Sequence, residues 1–322
     1  FVVLDYNSQD GLEEWIAQSM MKYIEMGILV YYRTTEPVHY LRSHSRNMVF
    51  RLAEGKIVCN LDADNYLGEG FAEFMLKEFQ EKKKIFYTSN LCVRDVFGRV
   101  CLEKEAFMAV KGYNELLVGY GVEDADLFKR LTCIGHRRHV FIQESFYGAL
   151  THEDNERVVE EPLLKKLYAL YLDYIDPYST RILMLYKEHF WGMGALQNNV
   201  AMNCNRNNIE CDRIEQCMSD KYRFVVKEEW KEGEWCNVDG GILLNGKYLF
   251  VDNQKGLCYR DRYFYKVTDV DLIVTVVLLI TEALNYSKVK RTLDNNECIN
   301  SQGFGCGTVF RNFDYANRII LK

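Results

Sequence analysis

Several features that would assign the chain to a specialised class of protein are scarce in this sequence. Only 3 of its 322 residues are proline, which excludes collagen-like and proline-rich segments. Lysine and arginine number 40 against 46 aspartate and glutamate residues, and the net charge of -6 suggests no basic surface for a nucleic acid. The hydrophobic fraction of 48% is that of a globular protein. We therefore expect a folded protein that binds no nucleic acid.

Long apolar stretches are also missing. The longest, residues 272–280, is interrupted by Thr275 and followed by Glu282. It is much shorter than the roughly 20 apolar residues that a membrane-spanning helix needs. The run therefore predicts a buried helix or strand, and we expect no membrane span in this chain. No signal peptide is recognisable at the amino terminus.

The cysteines lack the spacing of a metal or redox motif. There are 11 of them, an odd number, and no two stand in a Cys-x-x-Cys arrangement. Several, such as Cys59, lie inside apolar runs, which is typical of buried reduced thiols. This usage favours a reducing compartment, because disulfides persist mainly in oxidising ones.

Strand-like and helix-like segments alternate in the first half of the chain. Apolar, β-rich runs occupy residues 1–4, 28–32, 57–61 and 85–88, and helical spacing of apolar residues occupies 12–23, 43–53 and 71–79. This alternation predicts an α/β fold with a mostly parallel sheet flanked by helices. In such sheets ligands bind beyond the carboxyl ends of the strands, where Asp5 and Asp62 stand.

The pattern changes after about residue 155. Residues 163–172 and 182–191 have helical spacing, and the sequence from residue 222 onward is strand-like. The pair Asn245-Gly246 between apolar runs predicts a β-hairpin. We expect a first domain over residues 1–155, followed over residues 156–322 by an α+β extension or second domain whose role is open.

Paired aspartates at positions i and i+2 occur three times, at 62/64, 124/126 and 269/271. About one such pair is expected by chance, so position has to decide between them. Asp62 and Asp64 follow a buried strand, where two carboxylates can converge on one hard cation. The alternative is a solvated turn. Asp269 and Asp271 precede the apolar run and are expected to cap it.

Glu123 and Asp124 fall in the first turn of a predicted helix. Acidic residues there are favoured by the helix dipole, so simple capping is one interpretation. The other is a carboxylate base held at the edge of a cleft. Asp126 and Arg130 are spaced for a structural ion pair across one helical turn. His152 matters only if the fold brings it to Asp64, because an isolated histidine is usually structural or exposed.

Taken together, these segments resemble a known enzyme family. Residues 3–11, 45–47 and 60–64 resemble the nucleotide-sugar half of GT-A glycosyltransferases of family 2 type. Residues 105–115 and 119–124 look like the carboxy-terminal segment of β-1,4-galactosyltransferases and polypeptide N-acetylgalactosaminyltransferases. The resemblance covers about residues 1–155 and depends on the order and spacing of the motifs. It implies a GT-A (Rossmann-like) fold.

The resemblance also implies where the nucleotide sugar binds. Asp5 matches the aspartate that contacts uracil, and Ser8 lies in the same motif. Arg46 and Asn47 match helix positions that face the nucleotide, and Asp62 matches the first aspartate of the DxD motif.

The metal and the base are implied in the same way. Asp62, Asp64 and His152 match the residues that hold Mn²⁺ (or Mg²⁺), and Glu123 and Asp124 match the acidic pair. In the galactosyltransferases the aspartate of that pair is the general base and the glutamate helps hold acceptor or donor. The polypeptide transferases, which retain configuration, have asparagine at the position of Asp124. The aspartate that this chain has at position 124 therefore favours inversion.

Two departures from the family stand out. The family has a further strand and helix before the segment that matches Phe1, so the chain looks truncated. The sequence after about residue 160 matches no module of the family.

The residues and the resemblance together predict a metal-dependent, inverting glycosyltransferase. It would use a UDP-sugar donor and a glycan or glycoconjugate acceptor. A bacterial cytoplasmic enzyme of surface-polysaccharide assembly fits the reduced cysteines and the missing signal peptide. A lumenal enzyme with its anchor removed is the other interpretation, which the odd number of cysteines disfavours. One alternative is a sugar-1-phosphate nucleotidyltransferase. The other is a catalytically inactive GT-A-like protein that binds glycans or partners.

Overall fold

The structure, a computed structural model, describes residues 1–90, 95–151, 156, 158, 161–176, 179–197, 229–252, 256–260 and 262–322. Contacts divide the chain into two compact units, one of Phe1–His152 with Lys288–Lys322 and the other of Glu153–Ser287. Residues 288–322 thus belong with the first unit, whereas a single division after residue 155 placed them in the second. The roles assigned to the two segments stay predictions.

The described residues form sixteen strands and eight α-helices. The strands are β1 (Val2–Tyr6), β2 (Val30–Thr34), β3 (Ile57–Cys59), β4 (Ile85–Thr88), β5 (Val100–Glu103), β6 (Arg137–Val140), β7 (Leu167–Asp176), β8 (Ser179–Tyr186), β9 (Phe190–Gln197), β10 (Lys231–Val238), β11 (Gly241–Leu244), β12 (Lys247–Asp252), β13 (Gly256–Tyr259), β14 (Arg262–Lys266), β15 (Gly307–Arg311) and β16 (Asp314–Leu321). The helices are α1 (Leu12–Ser19), α2 (Met21–Glu25), α3 (Arg42–Leu52), α4 (Phe71–Glu81), α5 (Lys104–Ala109), α6 (Glu123–Cys133), α7 (Pro162–Lys166) and α8 (Val270–Asp294), with a 3-10 turn at Glu144–Tyr147.

The first unit contains two small mixed sheets, with strand orders β1-β2-β15-β16 and β3-β5-β4-β6. Only β1 with β2 and β4 with β6 run parallel; the other neighbours are antiparallel. The prediction of a mostly parallel, GT-A (Rossmann-like) sheet is therefore wrong. The alternation of local patterns did not reveal that β5 lies antiparallel between β3 and β4, or that β15 from the carboxy-terminal segment pairs with β2, because both pairings are long-range.

This sheet topology changes where the predicted ligand residues lie. Asp5 is in β1 and Asp62 follows β3, and these strands belong to different sheets. The shared sheet edge that was expected to bring them together does not exist among the described residues.

The second unit is built on a closed antiparallel barrel of eight strands, β7 to β14. Each strand pairs with the next in the chain, and β14 pairs with β7 to close the barrel. The helices predicted over 163–172 and 182–191 are wrong, because most of these residues lie in β7, β8 and β9.

Burial on both faces of these strands explains the error. One face of β7 and β8 fills the barrel interior, together with Trp191 and Trp235. The opposite face packs against α8, through residues such as Val277 and Ile280. A strand buried on both sides is apolar throughout and cannot be distinguished from a buried helix by periodicity alone.

Local signals in this unit were read correctly. Residues 272–280 lie within α8, whose inner face is buried. β11 and β12 form the predicted hairpin, and Asn245 and Gly246 both have the positive φ, 46° and 78°, of a type I′ turn.

Helix α8 also bears on the expectation of no membrane span. By length and composition it could cross a membrane, and 39% of its apolar window is buried in the protein. The core helix of a soluble protein passes the same test, so the absence of a span stays a prediction.

The cap of α8 is testable. The backbone N–H of Leu272 donates to Oδ1 of Asp269 over 2.8 Å, as predicted from the sequence. We expect Asp269→Ala to lower the free energy of unfolding by about 1 kcal/mol in urea titrations, because one helical donor loses its partner. Asp271→Ala is the control, because the Asp271 carboxylate interacts only with the helix dipole. This variant should lower the free energy of unfolding by at most about 0.3–1 kcal/mol. A larger loss for Asp271→Ala would contradict the assignment.

Candidate active site

Helix α3 buries several polar residues in the first unit. Four consecutive or near-consecutive polar residues are buried on it: Ser43, Ser45, Arg46 and Asn47. Burying polar groups costs free energy unless they find hydrogen-bonding or charged partners. The partners of Arg46 identify the candidate site.

Arg46 lies among three carboxylates. Its Nη1 donates to Oδ1 of Asp124 over 3.1 Å and is 3.5 Å from Oε1 of Glu123. Its Nη2 donates to Oδ1 of Asp62 over 3.2 Å. The side chain of Asp62 is 35% exposed, whereas the other three are almost fully buried. These four residues, called the Arg46 cluster below, come from α3, the loop after β3, and α6.

A second arginine lies one turn earlier on α3. Nε of Arg42 is 3.6 Å from Oε1 of Glu123, and its guanidinium lies 4.8 Å from the ring centre of Tyr120. Two cations thus face three carboxylates, so the site carries a net negative charge when all three carboxylates are ionised.

This arrangement separates the acidities of two aspartates. Burial raises the pKa of Asp124 to about 7; Arg46 opposes the shift, while Glu123 and Asp62 add to it. Burial also acts to raise the pKa of Asp62, but Arg46 and the Asn60 amide outweigh it, and its pKa falls below the ordinary value. Asp62 is therefore ionised at neutral pH, and Asp124 is close to half-ionised.

Helix α6 places the acidic pair. Glu123 and Asp124 lie in its first turn, as predicted. The predicted pair of Asp126 and Arg130 is confirmed at 2.8 Å, and Arg130 Nη1 also donates to the carbonyl oxygens of Val110 and Gly112. This pair anchors α6 and leaves Asp124 on the side that faces Arg46.

The loop after β3 is held by a neutral side chain and a glycine. Nδ2 of Asn60 donates to Oδ1 of Asp62 and to the carbonyl oxygen of Gly98. A Cβ atom at Gly98 would lie 2.6 Å from Nη2 of Arg46 and 2.8 Å from Oδ2 of Asp62. A side chain at this position would displace the guanidinium of Arg46 or the carboxylate of Asp62.

Asp64 is held by a separate chain of hydrogen bonds. Its Oδ1 accepts from Nδ2 of Asn65 over 2.8 Å, and Oδ1 of Asn65 accepts from Nη2 of Arg99 over 2.9 Å. Arg99 is fully buried, and its Nε and Nη1 have no hydrogen-bond partner among the described residues. Asn65 and Arg99 therefore orient the second aspartate of the motif.

The predicted metal ligands are compatible with a hard cation in their chemistry. Asp62 and Asp64 supply carboxylate oxygens, which suit Mn²⁺ and Mg²⁺. His152 lies outside the described residues, and within the described ones no group of three His, Cys, Asp or Glu residues could hold a metal ion. The metal site of Asp62, Asp64 and His152 stays a prediction.

The predicted uracil side of the cleft lies with β1 and β2. Asp5 is buried, and it accepts from the N–H of Ser8 over 2.8 Å and from the hydroxyl of Tyr31 over 2.7 Å. Nε of Arg33 is 3.7 Å from its Oδ2. None of these partners belongs to the Arg46 cluster, so the structure does not bring Asp5 and Ser8 into contact with it.

Asn47 is occupied by the protein itself. Its Nδ2 donates to the carbonyl oxygen of Tyr113 and to Oε1 of Glu115, and its Oδ1 accepts from the N–H of Tyr113. In this structure Asn47 therefore fastens α3 to the segment after α5. Its contact with a nucleotide stays a prediction.

Five residues of the site were not identified from the sequence: Arg42, Asn60, Asn65, Gly98 and Arg99. The helical spacing of Arg42 to Arg46 and the position of Asn60 and Asn65 beside the DxD motif were available signals. Nothing local marks Gly98 or Arg99, because their role arises from contacts with residues that are distant in the sequence.

A protein-family model for the N-terminal domain of galactosyltransferase matches residues 90–152. The match includes the acidic pair of α6, and it confirms the prediction of a glycosyltransferase enzyme. It supports neither the family 2 type nor a particular donor. None of the curated proteins matches the chain.

Solved structures show a weaker likeness. The catalytic domain of Drosophila β1,4-galactosyltransferase 7 in complex with xylobiose is 13% identical, with a TM-score of 0.35, and the match covers 50% of this chain and 74% of that one. A mutant of the same Drosophila enzyme in complex with manganese, UDP-Gal and xylobiose is 14% identical, with the same TM-score and coverage. A TM-score of 0.35 does not establish a shared fold.

The central position of Arg46 is testable through stability. We expect Arg46→Met to lower the free energy of unfolding by about 3–5 kcal/mol at pH 8, because it leaves buried carboxylates without their cation. The loss should be smaller at pH 5, where Asp124, with its pKa of about 7, is already protonated. Chemical denaturation at the two pH values measures the difference.

Arg51→Met is the matched control on the same helix. Arg51 donates to the carbonyl oxygens of Phe304 and Lys322, and no carboxylate side chain is among its partners. Its loss should be the same at pH 5 and pH 8. An equal loss at both pH values for Arg46→Met would show that the ionisation of Asp124 does not depend on Arg46.

Proposed function

We propose that the chain transfers a sugar from a UDP-sugar to a hydroxyl group of a glycan acceptor, with inversion at the anomeric carbon. The observation that carries this proposal is the buried Asp124 carboxylate, whose pKa lies near neutrality beside Arg46 and Glu123. A base works best when its pKa is close to the working pH. The donor class and the inverting outcome come from the motif resemblance.

Asp124 has one oxygen available for this task. Its Oδ1 is bound by Arg46, and its Oδ2 makes no hydrogen bond within the described part of the chain. We assign Oδ2 of Asp124 as the atom that takes the proton of the acceptor hydroxyl. The oxygen of that hydroxyl attacks the anomeric carbon of the sugar in the same step. Arg46 holds Asp124 in place by its other oxygen.

Glu123 supplies a second unused acceptor. Its Oε1 faces Arg42 and Arg46, whereas its buried Oε2 has no hydrogen-bond partner among the described residues. A buried acceptor without a partner is costly, so a sugar hydroxyl that donates to it would be bound favourably. Glu123 is therefore assigned to holding the substrate next to Asp124.

Asp62 and Asp64 are assigned to the donor side. The low pKa of Asp62 keeps it ionised over the neutral range, and Asn65 orients Asp64. These two residues, together with His152, would hold Mn²⁺ or Mg²⁺. A bound cation neutralises the charge of the leaving diphosphate.

The cellular location is part of the proposal. The cysteines in the described residues are free thiols, including Cys59 and Cys101, which face each other on β3 and β5. Free thiols persist in a reducing compartment. The free thiols support a reducing compartment, and we propose a bacterial cytoplasm, with surface-polysaccharide assembly as the setting.

Replacing Asp124 tests the assignment of the base. Asp124→Asn keeps the size of the side chain but removes its basicity, so turnover should fall about 10²- to 10⁴-fold. UDP affinity in the presence of Mn²⁺ should change only a few-fold, because Asp124 acts on the acceptor. Turnover with one competent acceptor and calorimetric titration with UDP are the two measurements.

Two further variants complete this experiment. Asp64→Asn should weaken Mn²⁺-dependent UDP binding, since it alters the donor side. Asp269→Asn is the control from another Asp-x-Asp pair: it should leave turnover and UDP binding nearly unchanged, because Asp269 caps α8 and is expected to bind no metal. If Asp124→Asn loses UDP binding as severely as Asp64→Asn, then Asp124 belongs to the donor site and inversion loses its support. If the wild-type protein binds neither UDP nor Mn²⁺, the chain is a binding module and not a transferase.

The pH dependence of turnover is a separate prediction. Asp124 must be deprotonated to accept a proton, so kcat/KM should rise with pH and level off above about 7. The groups that face it are Arg46, Glu123, Asp62 and Arg42. Asp62 does not contribute to the rise of kcat/KM near neutral pH, because its pKa lies below the ordinary value. A rate profile from pH 5 to 9, with UDP affinity measured at each point, checks it; a flat profile across neutrality would exclude Asp124 as the base.

A further inference from the structure

Two cysteines of the first unit face each other beside the candidate active site. Cys59 is the last residue of β3, and it lies opposite Cys101 of β5 in an antiparallel pair of strands. Opposite residues of such a pair point to the same face of the sheet. Both side chains lie in the apolar cluster that includes Phe71 and Met75 of α4. The proposed reaction uses neither cysteine.

The hydrogen bonds between the two strands show how close these side chains lie. The next pair along the ladder is Asn60 and Val100, and the N–H of Asn60 donates to the carbonyl oxygen of Val100 over 2.8 Å. Hydrogen-bonded and non-hydrogen-bonded pairs alternate in antiparallel strands, so Cys59 and Cys101 form a non-hydrogen-bonded pair. The Cα atoms of such a pair are about 4.5 Å apart. Disulfides span Cα separations of about 4.4–6.8 Å, so the two cysteines can be joined without moving the strands apart.

The two thiols differ in their access to solvent. Cys101 is 2% exposed, whereas Cys59 is only partly buried. A hydrogen bond with the Cys59 side chain, together with burial, raises the pKa of Cys101 well above its ordinary value. Cys101 is therefore protonated and shielded, and Cys59 is the thiol of the pair that a reagent can reach.

A buried arginine favours reaction at Cys59. Burial lowers the pKa of Arg99, and the interaction with a Cys59 thiolate is the largest of the charge effects that oppose this shift. Nε and Nη1 of Arg99 have no hydrogen-bond partner among the described residues. A neighbouring cation stabilises a thiolate, which is the reactive form of cysteine. Arg99 therefore supports Cys59 as the thiol that reacts first.

The end of β3 leads directly into the DxD motif. Asn60 follows Cys59, and its Nδ2 holds Asp62 and the carbonyl oxygen of Gly98. Sγ of Cys59 donates to the carbonyl oxygen of Asn60 over 3.5 Å. A disulfide sulfur has no proton to donate, and two bonded sulfurs stand only about 2.05 Å apart. Closing a disulfide would therefore break this hydrogen bond and turn the Cys59 side chain away from Asn60.

We propose that Cys59 and Cys101 form a reversible disulfide that loosens the loop of residues 60–66 and weakens binding of the nucleotide sugar. Formation of the disulfide is independent of the proposed transfer reaction, whereas its effect on the donor rests on that proposal. In the reducing compartment proposed above, the pair is reduced and the loop keeps its hydrogen bonds. A rise in small disulfides inactivates the site.

The oxidant is a small disulfide such as oxidised glutathione. The Cys59 thiolate attacks one sulfur of this reagent, forms a mixed disulfide and releases one glutathione thiolate. The Cys101 thiol then gives up its proton to that thiolate, and its sulfur attacks the sulfur of Cys59. The bond between Cys59 and glutathione breaks, and the second glutathione leaves as a thiolate that takes a proton from solvent. Two protein thiols are oxidised, and one small disulfide is reduced to two thiols.

Oxidation of the full chain tests the proposal. The protein is treated with a millimolar excess of oxidised glutathione, its remaining thiols are alkylated, and peptide mapping identifies the linked cysteines. We expect a peptide pair that is linked through Cys59 and Cys101 and is separated again by dithiothreitol. Backbone hydrogen exchange of residues 60–66, which needs no nucleotide, should be faster in the oxidised protein. Mn²⁺-dependent UDP binding, measured by calorimetry, should weaken about 10-fold, as is typical when groups that orient metal ligands are disturbed.

Single variants separate this pair from the other cysteines. Cys59→Ala should form no such link, and its UDP affinity should not respond to the oxidant. Cys101→Ala should stop at the mixed disulfide, so that glutathione stays attached to Cys59. Cys133→Ala is the matched control, because it removes an exposed cysteine of α6 in the same unit. This control should respond to the oxidant as the wild type does.

Three results would overturn the proposal. The first is a folded protein in which the exposed Cys133 reacts with the oxidant but Cys59 and Cys101 are not linked. The second is a linked protein whose residues 60–66 exchange no faster than in the reduced protein. The third is an equal loss of UDP affinity in oxidised Cys59→Ala, which would assign the effect to another cysteine. A reduced wild type that binds no UDP would instead refute the transferase function, and peptide mapping and hydrogen exchange would still decide on the disulfide.

Discussion

A guanidinium without water around it has to be surrounded by anions, and this requirement organises the first unit. Arg46 satisfies it with Asp62, Glu123 and Asp124, which come from two other parts of the chain. Because removing any one partner would leave buried charge uncompensated, α3, the loop after β3 and the start of α6 must keep their positions together. The same contacts give two neighbouring aspartates different pKa values: that of Asp124 is raised to about 7, and that of Asp62 is lowered.

The side chain of Glu115 and the carboxy-terminal segment support this arrangement. Oε1 of Glu115 accepts from Nδ2 of Asn47 over 2.8 Å and from the N–H of Gly305 over 2.6 Å. A Cβ atom at Gly305 would lie 2.7 Å from the backbone of Asn47, so the two segments touch through their backbones. Residues near the carboxy terminus thus hold α3, and they add β15 to the sheet of β1 and β2. The first unit is continuous in space but not in sequence.

The barrel obeys a different constraint, which is burial on both sides of its strands. Its interior is filled by large apolar side chains, and α8 covers part of its outer surface. Polar residues remain at one end, where Asp173 and Arg181 line a cavity. Packing therefore accounts for most of this unit, and the cavity is the part that packing does not explain.

Features that depend on neighbours within a few residues could be predicted from the sequence. The ion pair of Asp126 with Arg130, the cap of α8 by Asp269 and the turn at Asn245 and Gly246 are of this kind, because each acts within four residues along the chain. The position of the acidic pair in the first turn of α6 is another. Strand direction, the barrel, the insertion of β5 and the partners of Arg46 were decided only by the tertiary structure. They depend on pairings across tens or hundreds of residues, and an apolar run that is buried on both faces carries no period that distinguishes a strand from a helix.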